Sequence, residues 1–239
     1  MAKRSFLTLV ADGEPGAGDG SRTLIERAYM QLRDDIVEGR LAPGERMRVE
    51  HLKARYDVGA GTLREAITRL ASDALVVAEG QRGFRVAAAT LADLEDLTRL
   101  RLHIEIDALR QSIRHGGEAW RAALQQAFEE LSSAEQPLRP ENRRCWEQLN
   151  TRFHEALVEG CGSAWTMRLL RTLGRHSERY RSISIRLGPA PRDVHAEHRL
   201  IYEMALSGQE ARAALALEAH IRATPDALAY AGWGGGASA

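Results

Sequence analysis

Three histidines in the C-terminal half of the chain lie at helical positions whose neighbours are apolar. His154 shares a helix face with Asn150, four residues earlier, and with large apolar residues. His198 and His220 fall on two further faces of the same character. Burying three imidazoles is unfavourable unless each has a polar partner, and one divalent metal ion would serve all three. The alternative is that each histidine is an ordinary hydrogen-bonded core residue.

The elements that position these side chains are predicted from periodicity and from capping residues. From Thr90 onward the pattern is helical throughout, and Thr90 with Asp93 forms a predicted capping box at its start. We predict helices over residues 90–115, 118–133, 141–159, 163–185, 193–207 and 209–230. Because strand-like alternation is absent, this half is predicted to be an all-α antiparallel helical bundle.

A different pattern occupies residues 23–88. Thr23 and Glu26 form a predicted capping box that begins a first helix, whose apolar face repeats every four residues from Leu24. Further helices are predicted over residues 49–56 and 60–73, joined by a short connection. Two apolar runs, 75–77 and 84–86, flank a basic tip that contains glycines, which predicts a hairpin wing. This order is typical of a winged helix-turn-helix and favours sequence-directed DNA binding.

The third predicted helix is the one expected to read DNA. Its apolar positions form a buried face, while Thr62, Arg64 and Arg69 lie to the sides or outward. An opening turn with small residues and an arginine suits insertion into a major groove. At the wing tip, Arg82 adds a further positive charge.

These residues resemble the GntR family of bacterial transcriptional regulators. The resemblance rests on GRLAPGERM at residues 39–47, on TLREA at residues 62–66, and on Leu52, Val58 and Leu70. It implies that Arg64 contacts DNA from the recognition helix with Thr62 beside it. It also implies that Gly80 brings the wing backbone close to the minor groove.

Two positions depart from that family pattern. Glu50 stands in the second helix where many members carry a phosphate-binding arginine, and Ala60 stands two residues before Thr62 where another arginine is common. Alanine cannot replace a charged bidentate donor, so the change can alter the preferred operator. Arg48 and Arg55 flank the changed helix, and we hypothesise that they take over the phosphate contacts.

The helical half resembles the effector domain of the FadR branch of the family, known as the FCD domain. Its landmarks occur in order: RLHIE at 101–105, NTRFH at 150–154, EHRLI at 197–201, and SG at 207–208 leading to His220. Metal-binding members pair Asp-x-x-x-His with two later histidines, so the resemblance implies Asn150, His154, His198 and His220 as ligands. Asn150 replaces the aspartate, and its neutral oxygen is a weaker ligand. Three imidazoles favour zinc or nickel.

The same resemblance implies a cavity beside the metal where a small carboxylate effector binds. We expect Arg101 to help hold the anion, because a guanidinium makes two parallel hydrogen bonds to one carboxylate. The alternative is an ion pair with Glu105, four residues along the same helix. Arg175, Arg179 and Arg181 either line the cavity with Arg101 or form only a solvated face.

Composition bounds the remaining expectations. A chain of 239 residues suits two domains, predicted at 21–89 for the winged helix and 90–231 for effector binding and dimerisation, with flexible tails at 1–20 and 232–239. The formal net charge of zero argues against a non-specific nucleic-acid binder. The two cysteines lack paired-metal spacing, and no apolar run has the length of a membrane span. A cytoplasmic protein without membrane association is predicted.

These patterns together predict a ligand-responsive DNA-binding regulator, expected to act as a repressor. One recognition helix reads only a few base pairs, so we expect a homodimer on a pseudo-palindromic operator of double-stranded DNA. The main alternative is a metal-dependent hydrolase that uses the three-histidine site. Hydrolysis usually needs a general base nearby, and no acidic residue has that spacing on the metal-facing surfaces. We therefore predict no enzymatic activity.

Overall fold

The computed structural model describes residues 17–135, 142–187 and 192–234. The chain divides into two compact units. The first unit consists of the chain up to Asp34 together with Arg46–Arg85. The second unit consists of Asp35–Glu45 together with the chain from Val86 onward. The predicted tails fall largely outside the described residues, and the predicted boundaries at 21–89 and 90–231 stay predictions.

The first unit has the elements of a winged helix-turn-helix. In chain order they are α1 (Ala17–Val37), β1 (Arg46–Met47), α2 (Val49–Tyr56), α3 (Ala60–Ser72), β2 (Val76–Ala78), a 3₁₀ turn (Gly80–Arg82) and β3 (Phe84–Val86). The sheet order is β1-β3-β2, and β1 pairs antiparallel with β3 so that Met47 lies opposite Phe84. The predicted fold class is confirmed. Strand β1 was not anticipated, because two residues are too few to show a period.

Helix α1 begins earlier than its capping residues predict. It starts at Ala17, so Thr23 lies inside the helix and the predicted cap at Thr23 is wrong. The predicted apolar face is also shifted at its beginning, where Leu24 is 39% exposed and Ile25 is only 8% exposed. A threonine followed three residues later by glutamate is therefore compatible with a helix interior as well as with a helix start.

The second unit is the predicted all-α bundle. It contains α4 (Leu91–His115), α5 (Glu118–Glu135), α6 (Arg143–Glu159), α7 (Ala164–Arg186), α8 (Val194–Leu206) and α9 (Glu210–Tyr230). Three of these helices have an N-cap side chain that accepts a hydrogen bond from the backbone N–H three residues later. These N-cap residues are Thr90, Ser163 and Asp193, and each satisfies one of the free N–H groups of the first turn. Residue 141, the predicted start of the third of these helices, lies outside the described residues.

The core of this unit is formed by all six helices, α4 to α9. Its fully buried side chains include Leu109, Leu124, Phe153, Leu157, Ile201 and Leu217. Helices α6 and α7 run antiparallel, because Arg181 donates to Glu147 while Arg171 donates to Glu155. The residue number thus rises along one helix as it falls along the other. The candidate site is formed by residues of α6, α8 and α9, and the larger cavity beside it is lined by α4, α6 and α7.

Candidate metal centre and DNA-reading helix

The three predicted histidines come together in the structure. His154 is on α6, His198 on α8 and His220 on α9, and one ring nitrogen from each lies within 4.8 Å of the others. The Nε2 atoms of His154 and His220 are 3.2 Å apart. Two nitrogens bound to one tetrahedral zinc at the usual bond length would be about 3.3 Å apart. The spacing therefore fits a shared metal ion.

Two carboxylates orient two of these rings. His198 Nδ1 is 2.7 Å from Glu135 Oε1, and His220 Nδ1 is 2.8 Å from Glu197 Oε2. Metal-binding histidines usually donate their second ring N–H to such a carboxylate, which leaves the other nitrogen as the ligand. His198 Nε2 is buried without a hydrogen-bond partner among the described residues. A buried nitrogen in that state is unfavourable unless it binds an ion or molecule.

The electrostatics of the cluster favour the neutral form of two imidazoles, those of His154 and His220. Burial lowers the pKa of His154 well below its ordinary value, and the neighbouring His220 and His198 lower it further. Burial and His198 act in the same direction on the pKa of His220. Histidine must be neutral to bind a metal. The site therefore holds two of its three predicted histidine ligands in the form that coordination requires.

Glu135 is a site residue that the sequence did not reveal. Burial raises the pKa of its carboxyl, but hydrogen bonds donated by His198, Trp146 and His195 bring that pKa below its usual value. Its Oε1 accepts from both His198 and Trp146, the latter at 3.0 Å. Glu135 lies at the end of α5, far from the histidines in the chain, so no spacing rule could have found it.

Glu197 is the second such residue, and it forms part of a small network. Arg192 donates to both of its carboxylate oxygens, and the shortest of these contacts is 2.7 Å. The same guanidinium donates to the His220 backbone oxygen at 3.1 Å. Glu197 precedes His198 in the chain, and this adjacency to a predicted ligand was the one available signal.

Asn150 lies beside the histidines as predicted, although the structure does not test its role as a ligand. It is 2% exposed and lines two cavities that His154 also lines. Its amide forms no hydrogen bond with any residue that the structure describes. A buried amide in this position has its oxygen available for an ion or a ligand.

The larger cavity has a volume of about 260 Å³ and the smaller about 80 Å³. Arg101 lines both of them. Its guanidinium donates to Glu105 from Nε at 2.6 Å and to Ser177 Oγ from Nη1 at 3.1 Å. The ion pair with Glu105 is therefore present and holds the guanidinium at the cavity wall, and effector binding by Arg101 stays a prediction.

The other predicted arginines separate into two groups. Arg175 and Arg181 line the larger cavity, Arg175 being exposed and Arg181 half-buried. Arg179 does not line it, so that expectation is wrong. Its guanidinium is buried and donates to the backbone oxygens of Ala87 and Ala88, at 2.6 Å and 3.4 Å. These backbone contacts hold the Arg179 guanidinium away from the cavity.

Three carboxylates also line the larger cavity. Glu105, Glu155 and Glu178 lie on its wall, on three different helices. Spacing within single helices, on which the expectation of no general base rested, does not reveal carboxylates that converge from separate helices.

In the recognition helix α3, Arg64 has the features of a DNA contact. Its side chain is exposed and forms no hydrogen bond or ion pair with any residue in the described part of the chain. Arg69 differs, because it donates to Glu26 at 2.6 Å and stacks 4.5 Å above the Tyr29 ring. Glu26, predicted to complete a helix cap, instead joins α1 to α3. Thr62 is partly exposed in the first turn of α3.

The remaining predicted DNA contacts lie on α2 and on the wing. Arg48 immediately precedes α2 and is exposed, and Arg55 lies over the Tyr56 ring at 5.5 Å. Gly80 adopts a φ of +58°, a left-handed conformation that favours glycine, and Arg82 beside it is exposed. These four residues stay predicted contacts.

A winged helix-turn-helix together with an all-helical domain defines a class of two-domain transcription regulators that bind DNA. The chain belongs to the GntR family: the description "Bacterial regulatory proteins, gntR family" matches residues 24–86, and the description "FCD domain" matches residues 96–223. It is a DNA-binding transcriptional regulator and not an enzyme.

The chain is similar over most of its length to relatives that are named as transcriptional regulators. The uncharacterized HTH-type transcriptional regulator BphR of Paraburkholderia xenovorans is 40% identical, over 90% of this chain and 89% of that protein. The HTH-type transcriptional repressor GlaR of Escherichia coli is 31% identical, over 81% and 90% respectively.

Solved structures share the fold. McbR/YncC of E. coli superposes with a TM-score of 0.67 at 18% identity, covering 87% of this chain and 97% of that one. A GntR transcriptional regulator from Rhodococcus sp. RHA1 gives a TM-score of 0.64 at 22% identity, covering 87% and 98%. Among the helices described, none has the length and apolar character needed to cross a membrane.

Proposed function

We propose that this regulator senses a small carboxylate at a metal-dependent site in its helical domain and changes its operator affinity in response. The observation that carries the proposal is the convergence of His154, His198 and His220 on one point beside a cavity. A plain hydrophobic core would not bring three imidazoles together and leave two buried nitrogens, His154 Nδ1 and His198 Nε2, without a hydrogen-bond partner among the described residues.

The donor set fits a divalent metal. His198 and His220 are turned by Glu135 and Glu197 so that their Nε2 atoms face the cluster, and His154 adds a third imidazole. Asn150 is placed to add an amide oxygen. Zinc or nickel suits three imidazoles, and when bound it would supply positive charge and open coordination positions at the cavity wall.

The cavity arginines support an anionic effector. Arg101 is held rigidly by Glu105 and Ser177, yet it has more N–H donors than these contacts use. Arg175 lies farther out on the same cavity, where it is placed to attract an entering acid. A rigid guanidinium orients a carboxylate at little entropic cost.

The DNA-binding half of the proposal rests on α3 and the wing. Arg64 and Thr62 read bases, Arg48 and Arg55 bind phosphates, and the wing with Gly80 and Arg82 approaches the minor groove. Two copies of the chain read the two halves of the operator as a homodimer. Because the relative GlaR is named a repressor, we propose repression as the sign of regulation.

Effector binding changes DNA affinity only if the ligand has different affinities for two arrangements of the protein. Coupling of this kind usually changes affinity by about 5- to 150-fold.

The test uses a DNA duplex selected by the wild-type protein from a random library. Its Kd is measured by fluorescence anisotropy at fixed salt with metal-free protein, with zinc-loaded protein, and with a panel of mono- and dicarboxylic acids. We expect at least one acid to change the Kd of zinc-loaded wild type by several fold, and to leave His198→Ala unchanged. A wild-type Kd that responds to neither zinc nor any acid would contradict sensing while leaving DNA binding intact.

A further inference from the structure

We propose that the cavity selects an amphipathic monocarboxylate, with its carboxylate at the Asn150–His154 end and an apolar body along Val158, Met167 and Leu170. This inference rests on the proposed function and adds the chemical class of the effector.

The lining changes from polar to apolar along the cavity. On α6 the lining residues Asn150, His154 and Val158 follow one another at intervals of one turn, over about 12 Å. On the antiparallel α7 the order is reversed, from Arg181 and then Glu178 to Leu170 and Met167. The apolar residues of both helices therefore share one end of the cavity.

The apolar end offers little to a second negative charge. Val158 is 3% exposed, and Met167 and Leu170 are each 8% exposed, so this wall is a continuation of the core. The nearby charges are those of Arg171 and Glu155, which pair with each other at 3.0 Å and cancel. A carboxylate placed against this wall would lose its hydration, and Arg175, which also lines the cavity, lies one turn beyond Arg171 along α7.

The polar end matches one negative charge. Arg101 is paired with Glu105, and Arg181 is paired with Glu147, so these two guanidiniums already have counter-ions. At this end the cavity is lined by His154 and the Asn150 amide, and a metal ion held by the three histidines would supply the positive charge. One carboxylate head would bind that metal and the Asn150 N–H group, and the rest of the ligand then lies along the apolar wall.

The cavity is large enough for such a body. At the packing density of a protein interior, about 260 Å³ holds about 190 Å³ of ligand, well beyond the needs of a two-carbon acid. Midway along, Gly174 borders open space, because a Cβ built there would meet no atom within 4 Å.

The experiment is a calorimetric titration of the zinc-loaded full chain with acetate, butyrate, hexanoate and succinate. We expect affinity to rise about fourfold per methylene from acetate upward until the wall is covered, the factor for burying one methylene. Succinate, which carries a second carboxylate, is expected to bind more weakly than hexanoate. Acetate binding as tightly as hexanoate, or succinate binding more tightly, would overturn the inference.

Three variants test which residues produce the preference for longer acids. Gly174→Leu fills the passage with a residue that favours helix, so it should retain acetate binding and lose at least tenfold in hexanoate affinity. Leu170→Gln should reduce the preference for hexanoate over acetate. Leu169→Gln is the matched control. Leu169 is the residue immediately before Leu170 on the helix, is 44% exposed and does not line the cavity. An equal loss in the Leu169 and Leu170 variants would contradict the assigned wall.

The outcomes separate this inference from the proposed function. Acids that bind without any dependence on chain length would refute the amphipathic class while leaving carboxylate sensing in place. No detectable binding of any of the four acids would refute both.

Discussion

Glu135 Oε1 lies 2.7 Å from His198 Nδ1 and thereby fixes the orientation of a completely buried imidazole. The carboxylate comes from α5 and the ring from α8, so the contact connects two helices through the candidate metal centre. Because Nδ1–H of His198 donates its hydrogen bond to this carboxylate, the Nε2 atom is the one left for coordination.

Replacing Glu135 with glutamine should weaken metal binding about 10- to 100-fold, the usual effect of losing such an outer partner. The amide keeps the size of the side chain but removes its charge and allows the ring to adopt the other tautomer. Zinc affinity is measured by competition with a chromophoric chelator. Glu129→Gln, an exposed change on the same helix, is the control. Equal affinities in wild type and Glu135→Gln would contradict the orienting role.

Asn150→Asp should tighten zinc binding, because it adds a charged oxygen beside the histidines. The same change should weaken a carboxylate ligand by lowering the net positive charge of the site. Zinc competition and acid titration measure the two effects on one preparation. Asn142→Asp adds the same charge at an exposed position outside the cavity. If Asn150→Asp and Asn142→Asp behave alike, Asn150 is not a ligand.

Arg64→Ala should cost about 1–3 kcal/mol of operator binding without lowering the melting temperature, because Arg64 is exposed and unpaired within the described chain. Arg69→Ala should instead lower the melting temperature, since it removes an ion pair and a ring contact that join α1 to α3. Salt-matched anisotropy and thermal melts compare the two variants. Unchanged operator affinity in Arg64→Ala would exclude this arginine as a DNA contact.

Tyr180 gives the helical unit a dependence on alkaline pH. Burial, together with the hydrogen bond to Asp93, raises the pKa of the Tyr180 phenol. The unfolded phenol loses its proton near pH 10 while the folded one keeps it, so this contribution to stability is complete below about pH 10 and declines above it.

Tyr180→Phe should therefore show a shallower loss of unfolding free energy above pH 10, by at most about 1.4 kcal/mol per pH unit. Urea unfolding at several pH values measures the slope. Tyr230→Phe, at a side chain that is 88% exposed, should keep the wild-type slope. Identical slopes for all three proteins would contradict the effect.

The sequence predicts the elements of the fold well, because caps and periodicity are local properties. Thr90 shows where this reaches its limit. It caps α4 as predicted by accepting from the Asp93 backbone N–H, but the Asp93 carboxylate accepts from Tyr180 on α7 and does not complete the predicted capping box. Partners that lie on other helices carry no spacing signal. For the same reason His154, His198 and His220 were found from their apolar faces and family landmarks, whereas Glu135 was not.

Elemental analysis is the most direct test of whether His154, His198 and His220 share one metal ion. Wild type and the His154→Ala, His198→Ala and His220→Ala variants are purified without chelators, loaded with zinc or nickel, and desalted. We expect about one equivalent of metal in wild type and a sharp loss in each variant, because the three imidazoles act as one site. Equal, near-zero metal in all four proteins would contradict the metal site and leave a polar cavity without it.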